Sequence, residues 1–336
     1  MSFIRKIKKR GRPYIISEIG SNHNGNMSLC KKQILQSKKA GADAVKFQMF
    51  TSSGLFSSAA FSSKGLKKKD VDKFSLNIVK LKEIHKYCKK IKIDFGVTPL
   101  SINEAKLLDK NINLDFFKVA SADCNFYELI KFLGNTKKPT IVSTGLSSYD
   151  EIKKAVKTFK KTKNKKLVIM HCTSNYPPEN KNINLKRIGE LNRIFNYPIG
   201  FSDHSKGIEM SLASIAFGAC VIEKHYTSNK KLAGWDHHMS INFNELKDLV
   251  SFSRNIYESL GSKKIYRVEK KNMLLAFRRS IVASTNIKKG QRIRKEHLDF
   301  KRPGSGLSPD MSNAIIGRKA KKNISHDEIL KTSFFK

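Results

Sequence analysis

No apolar run in this 336-residue chain approaches the roughly 18–20 residues that a bilayer-spanning helix needs, which excludes a helical membrane protein. The basic stretch Met1–Arg12 carries no apolar h-region, which argues against a secretory signal, and it reads as a short, frayed leader. Cysteine is sparse: Cys30, Cys88, Cys124, Cys172 and Cys220 are dispersed, odd in number and form no CxxC pair. That excludes a zinc-ribbon pattern and argues against a disulfide framework, so a reducing, cytoplasmic compartment is expected. No Gly-rich dinucleotide fingerprint follows the first apolar segment, and no repeat of solenoid period is present.

Acid is also scarce, with 28 Asp and Glu against 66 Lys and Arg, giving a net charge of +38. A charge of that size admits a polyanion-binding basic protein as a reading of a different class. Yet lysine far outnumbers arginine and lies along the whole chain, mostly between the apolar segments, whereas nucleic-acid readers concentrate arginine with aromatics on one face. The pattern reads as a solvated lysine surface whose field draws in anionic substrates. Neither a nucleic-acid nor a membrane partner is expected.

What is present is a regular alternation. Strand-like runs occur at Tyr14–Ile19, Ala44–Phe47, Ile93–Val97, Phe116–Val119, Thr140–Val142, Leu167–Met170, Ile199–Phe201 and Cys220–Ile222. Segments of helical periodicity lie between most of them, such as Ser28–Ala40, Asn103–Asp109, Asp150–Lys160 and Glu209–Phe217. Strand–helix alternation implies right-handed βαβ units, and eight of them fit a closed (β/α)8 TIM barrel better than an open sheet. The Ser/Gly/Phe-rich stretch Thr51–Leu66 reads as a long loop over the barrel mouth. The expected organisation is a leader over 1–12, a barrel over 13–262, a linker over 263–276 and a small β-rich domain over 277–336. Within the last, Arg279–Ala283 and Ile287–Lys289 read as short strands.

In a parallel barrel every strand C-terminus meets on one face, where chemistry collects. Those ends carry Glu18, Lys46 with Gln48, Thr98, Lys118 with Ser121, Ser143 with Thr144, His171, Ser202 with His204, and Glu223 with His225. Residues i and i+2 of a strand share a side, so Lys46/Gln48, Ser202/His204 and Glu223/His225 each project together. Two lysines and several hydroxyls suit a ligand with a phosphate and a carboxylate, and Lys46 and Lys118 sit inside apolar strands where an idle charge is costly. His204 and His225, on adjacent strands, suit a divalent metal whose other ligands are substrate and water. Glu18, Asp236 and Glu223 are candidate proton-transfer groups. Ser143, Thr144 and Ser202 have a second reading as helix caps, His85, His171 and His297 read as structural or exposed, and Cys172 reads as a core thiol.

The ordered set SEIGSNHNG (Ser17–Gly25), GADAVKFQ (Gly41–Gln48), GVTP (Gly96–Pro99), FKVAS (Phe117–Ser121), STG (Ser143–Gly145), HCTSNYP (His171–Pro177), GFSDH (Gly200–His204) and EKHYT (Glu223–Thr227) resembles the sialic acid synthases. The tail, with FRRSIVAS, NIKKGQRI and RPGSG, resembles their C-terminal antifreeze-like, or SAF, domain. The resemblance implies a TIM barrel followed by a β-clip SAF domain, and condensation of phosphoenolpyruvate with an open-chain N-acylhexosamine, typically N-acetylmannosamine. By motif it implies Lys46, Thr98, Lys118, Ser121, Ser143 and Ser202 on phosphoenolpyruvate, and His204 and His225 on Mn²⁺, with Mg²⁺ or Co²⁺ as alternatives. Glu18 and Asp236 would handle protons and sugar hydroxyls, and Asp123, Ser174 and Tyr176 would contact the sugar. It also implies a domain-swapped homodimer in which Arg302, with Phe277, reaches the partner's site. Asp123 stands where some members carry Glu, Ser174 where some carry Asn, and GWDHH (Gly234–His238) replaces a GPDH-like sequence. These departures fall on the sugar side, so legionaminic or pseudaminic acid synthesis from a 2,4-diacetamido sugar is the alternative within the family.

Overall fold

A computed structural model of the chain describes residues 3–9, 11–64, 67–262 and 264–336. Met1, Ser2 and Arg10 of the expected leader, Gly65 and Leu66 of the expected loop, and Lys263, where the linker was expected to open, lie outside the described residues. The chain divides into two compact units, Met1–Gly261 and Ser262–Lys336.

The first unit opens with α1 (Phe3–Lys9), β1 (Tyr14–Gly20), α2 (Met27–Ala40) and β2 (Ala44–Met49). Three short helices follow, α3 (Ser52–Leu55), α4 (Ser58–Lys64) and α5 (Lys68–Asp72), then α6 (Ile78–Ile91) and β3 (Asp94–Pro99). Next come α7 (Ile102–Asn111), β4 (Phe116–Val119), α8 (Tyr127–Asn135), β5 (Thr140–Ser143), α9 (Tyr149–Lys161) and β6 (Leu167–Cys172). The unit ends with α10 (Lys186–Ile194), β7 (Ile199–Asp203), α11 (Glu209–Ala216), β8 (Val221–His225) and α12 (Phe243–Ser259). The eight strands are parallel and close into a barrel in sequence order. All eight expected strands are present, and most run on past their apolar part, because a central strand's backbone is satisfied by its neighbours whatever its side chains are.

Strand alternation sorts the core. Tyr14, Ile16, Ala44, Phe116, Ile141, Val168, Met170 and Val221 fill the lower barrel, and Ile15, Val45, Phe95, Phe117 and Ile169 face the helices. Gly96 has a packing reason: a Cβ there would lie 2.2 Å from the Phe116 ring. The helices follow the same logic. In α9, Ser148 and Glu151 form a capping box, Lys160 and Lys161 sit in the last turn, and Ile152, Ala155, Val156 and Phe159 make one buried stripe.

Four expectations need correction. The described part of the expected leader, 3–9 with 11 and 12, is not frayed. Phe3 and Ile7 of α1 are buried against the lower barrel, where Phe3 meets Tyr14 edge-on and stacks on Phe116, each at 5.0 Å. Two of the basic residues are partnered too: Lys6 with Asp94 at 2.5 Å, and Arg12 with Asp43 at 2.6 Å. The expected loop over 51–66 is largely helical, because Thr51 caps α3 through Gly54 N–H and Ser52 is held by Asp72. Polar residues that read as loop are serving as caps. In the second unit, α13 (Lys271–Phe277) occupies the end of the expected linker.

The second unit also holds an antiparallel pair, β9 (Ser280–Ala283) and β10 (Leu298–Lys301), over a core that includes Ile281, Ile287, Ile293, Ile324 and Leu330. The strand expected at Ile287–Lys289 is reduced to a single bridge from Ile287 to Ile324. No helix among the described residues is long and apolar enough to cross a membrane.

If α1 plugs the barrel floor, Phe3→Ala removes a buried aromatic and should cost about 3–5 kcal/mol of unfolding free energy in urea titration. A frayed leader would leave the midpoint unchanged.

Candidate active site

The inward i, i+2 alternation stacks polar residues directly above the apolar floor. Glu18 is registered with Lys46 on one side and His225 on the other, and Ser202 with Cys172 and Glu223. Glu18, Lys46, Ser202, Glu223 and His225 line a cavity of about 250 Å³ that also takes in Gln48, Leu55, Thr98, Lys118, Ser121, Asp123, Ser143, Tyr176 and His204. A larger hollow, about 340 Å³, lies outside the barrel between α9 and α10, over Ile152, Leu191 and Ile194. Thr144 and His171 line that hollow, not the mouth. The Thr144 hydroxyl donates to the Met170 carbonyl and His171 bonds the Ile183 carbonyl, so both serve structure.

The charged floor is almost dry: Glu18, Lys46, Lys118 and Glu223 are each no more than 3% exposed. Lys46 Nζ pairs with Glu18 Oε1 at 2.8 Å and donates to Thr98 Oγ1 at 2.9 Å. Lys118 Nζ reaches across the barrel to Glu223 Oε1 at 3.1 Å, and Ser202 Oγ donates to that same oxygen at 3.1 Å. An ammonium has three protons to give, so neither lysine is exhausted by these partners. Meanwhile Ser143 Oγ, Glu18 Oε2 and Glu223 Oε2 are buried with no hydrogen-bond partner among the described residues. Unsatisfied groups of both kinds around one cavity are what a polar ligand would complete.

Burial pushes the Glu18 carboxyl up to about 7, with the charge of Glu223 adding to the effect and Lys46 opposing it. Burial acts upward on Glu223 as well, but Lys118 and Lys46 outweigh it and hold that carboxyl at about 2. Two carboxyls on neighbouring strands are thus driven in opposite directions, which separates a proton carrier from a fixed charge.

Above the floor, His204 and His225 lie with ring centroids 5.3 Å apart, and Tyr176 packs against His204 at 4.1 Å. His225 Nδ1 is buried without a hydrogen bond, 3.6 Å from Asp236 Oδ2, and burial with the nearby His204 and Lys46 keeps the imidazole well below its usual pKa. His204 Nδ1 donates to the Thr173 carbonyl at 2.9 Å, which leaves its other nitrogen as the free lone pair. Burial opposes charge on His204, but Cys172 and the Thr173 carbonyl raise its pKa overall, so a cation there would compete with a proton. The two imidazoles fit half of a divalent-metal site. No group of three His, Cys, Asp or Glu in metal-holding geometry exists among the described residues, so the remaining ligands would have to be substrate and water.

Asp236 is half-buried and accepts from Ser21 Oγ at 3.3 Å. Ser174 sits behind the mouth, 3.7 Å from Cys172 Sγ. Gly145 of the STG motif is needed there, since a Cβ would lie 2.3 Å from Ser174 Oγ and 2.9 Å from Ser121 Oγ. Phe277 and Arg302 belong to the second unit, where the guanidinium lies 5.6 Å over the Phe277 ring.

Two residues gain a place that sequence did not give them. Gln48 was read at a strand end without a role, and its amide donates to Glu18 Oε1 at 3.1 Å. Cys172, read as a core thiol with no base beside it, touches Ser121 Oγ at 3.0 Å and His204 Nδ1 at 3.8 Å. The i, i+2 rule was the available signal for both; Cys172 is the inward residue two beyond Met170.

The NeuB family model matches residues 33–265, and the SAF domain model matches residues 278–336. The chain belongs to the NeuB family. N,N'-diacetyllegionaminic acid synthase of Campylobacter jejuni is 36% identical over 94% of this chain and 98% of its own length. Pseudaminic acid synthase of the same species is 34% identical over 96% of both. The N-acetylneuraminic acid synthetase of Leptospira borgpetersenii, solved with citrate, superposes with a TM-score of 0.71 at 32% identity, covering 78% of this chain and 90% of that one. The protein is therefore an enzyme of the nonulosonic acid synthase family, a TIM barrel with a C-terminal SAF domain.

Asp123, at the rim of this NeuB-family mouth, offers a titration test. Burial pushes its carboxyl up from 3.8 to about 6, so between those values the folded state holds a proton that the unfolded state has lost. Stability contributed by the protonated form is present below about pH 4 and is lost as pH rises through 6. Asp123→Asn should therefore gain in urea midpoint relative to the parent between pH 4 and 6; a pH-independent difference contradicts the shift.

Proposed function

We propose that the enzyme condenses phosphoenolpyruvate with an open-chain N-acylhexosamine and water, giving a nine-carbon 2-keto sugar acid and phosphate. The observation that carries this is the dry floor, where Lys46 and Lys118 keep unused protons beside the unpartnered Ser143 hydroxyl. Such a floor suits a small ligand bearing both phosphate and carboxylate. Thr98, Ser121 and Ser202 add hydroxyls on the same side.

The chemistry assigns the rest. The methylene carbon of phosphoenolpyruvate attacks the sugar aldehyde, whose oxygen takes a proton. Water adds at C2 and loses a proton, and C2–O cleavage then releases phosphate and leaves the ketone. Glu18, with a pKa near neutrality, is suited to receive the proton of that water, and Glu223 pairs with Lys118 at 3.1 Å. Asp236 stands beside His225, on the side where the sugar hydroxyls would lie, with Asp123, Ser174 and Tyr176 as the other sugar contacts. A divalent cation held by His204 and His225, taken as Mn²⁺, would supply Lewis acidity to the aldehyde oxygen.

For the sugar, N-acetylmannosamine is the first reading. The 36% identity to a legionaminic acid synthase over nearly all of both chains favours a 2,4-diacetamido sugar as the second. We further take the working form as a homodimer in which Arg302 enters the partner's mouth. In support, the second unit exposes Ile265, Tyr266, Val268, Met273, Leu275 and Phe277, an apolar series uncommon on a free surface. The thiols of Cys30, Cys88, Cys124 and Cys172, outside any disulfide, support a reducing compartment.

Phosphate release should be followed with phosphoenolpyruvate fixed and N-acetylmannosamine or 2,4-diacetamido sugars varied, with Mn²⁺ and with chelator. Turnover with one sugar class, lost on chelation and in His204→Ala, is expected, and Arg302→Ala should raise the sugar KM. No phosphate release with any acyl sugar overturns the reaction; full chelator resistance overturns the metal.

A further inference from the structure

The segment carrying α3–α5 leaves the barrel at Phe50 and returns at Phe74 and Ser75, and its two ends are stitched together. Asp72 accepts from Ser52 N–H at 2.9 Å and from Ser52 Oγ at 3.0 Å, and Ser75 Oγ donates to the Phe50 carbonyl. Onto both ends falls one side chain from the β8–α12 segment. Trp235 lies 4.7 Å from the Phe74 ring and, nearly parallel, 6.4 Å from the Phe50 ring. Aromatic pairs at such separations attract beyond the area they bury.

The loop that carries Trp235 is braced independently on its other side. Asn24 donates to the Ala233 carbonyl at 2.9 Å, and Asn22 donates to Ser240 Oγ at 2.8 Å. Ser240 Oγ in turn donates to the Asp236 carbonyl at 2.6 Å. Asp236 follows Trp235 directly in sequence and stands beside His225. Leu55, on α3, is part of the cavity wall, whereas Trp235 is not, and the indole is 45% exposed. The indole is thus a joint between two pieces of the mouth, outside the mouth itself.

We propose that Trp235 is a positioning residue that locks the α3–α5 segment to the Asp236 loop and thereby shapes the sugar side of the mouth. The phosphoenolpyruvate side, built from β2 to β5 and β7, does not depend on it. This rests on the reading of the mouth as a phosphoenolpyruvate–acylhexosamine site. It places the GWDHH sequence, which departs from the family pattern, at the point where sugar selection is set.

The test uses the full-length enzyme and whichever of N-acetylmannosamine or a 2,4-diacetamido sugar the parent turns over. Trp235→Ala should raise the sugar KM by about tenfold, the size expected for losing two aromatic pairs. The phosphoenolpyruvate KM should stay within about twofold, and Trp235→Phe should restore the sugar KM because a benzyl ring keeps the stacking. Trp235 is the one tryptophan in the chain, so its emission reports this joint alone. Adding the sugar should shift that emission in the parent, and Phe74→Leu should abolish the shift and raise the sugar KM. An unchanged sugar KM in Trp235→Ala, or an equal rise in both KM values, overturns the proposal. If Trp235→Ala does not fold, Trp235→Phe and Phe74→Leu decide by the same ratio. Absence of turnover in the parent with every sugar would instead sink the reaction reading.

Discussion

Two buried lysines, each held by a carboxylate, are the constraint around which the barrel mouth is organised. An ammonium taken out of water costs several kcal/mol unless it is paired in good geometry, and removing one partner of such a pair is more costly than removing both. Lys46 meets Glu18 on the neighbouring strand, but Lys118 on β4 meets Glu223 on β8, on the far wall of the barrel. Only closure of the sheet brings that second pair together, so the charged floor depends on the fold. The apolar layer beneath, closed below by Phe3 and Ile7, excludes water and keeps the pairs strong.

The same floor explains a division of labour. Hydroxyls and lysines from β2 to β5 and β7 share the cavity wall with His204 and His225, beside which Asp236 stands. Glu18 stands between, registered with both Lys46 and His225, and its raised pKa follows from that crowded, dry position. Outside the ring, Lys224 forms a fully buried pair with Asp203 at 2.8 Å and bonds the Ser205 carbonyl at 2.6 Å. This fixes the segment on either side of His204, so the outward face of β8 supports what the inward face presents.

The strands and the inward residues at their ends were legible because a period of two is written directly into the chain. Lys46 and Lys118 stood out as charges inside apolar runs. Glu18 and Glu223 were read as strand-end acids, but their pairing with these lysines was not legible, since Lys118 and Glu223 are separated by 105 residues and nothing local links them. The helix α1 was hidden because seven residues rich in lysine and arginine look solvated until a barrel floor is there to receive Phe3 and Ile7. The short helices after β2 were hidden for a related reason, their cap residues having the composition of a loop. Trp235 carried no pattern of its own, as its contacts come from two segments that meet only in the fold.

The central claim is that the Lys118–Glu223 pair exists to present a charge to substrate, not to hold the barrel together. The most direct measurement is calorimetric titration of phosphoenolpyruvate into the parent and into Lys118→Met/Glu223→Gln, alongside urea unfolding of both. Because both charges leave together, the double variant should keep its unfolding midpoint close to the parent's while losing about a hundredfold or more in phosphoenolpyruvate affinity. A double variant that binds phosphoenolpyruvate as the parent does would contradict the account.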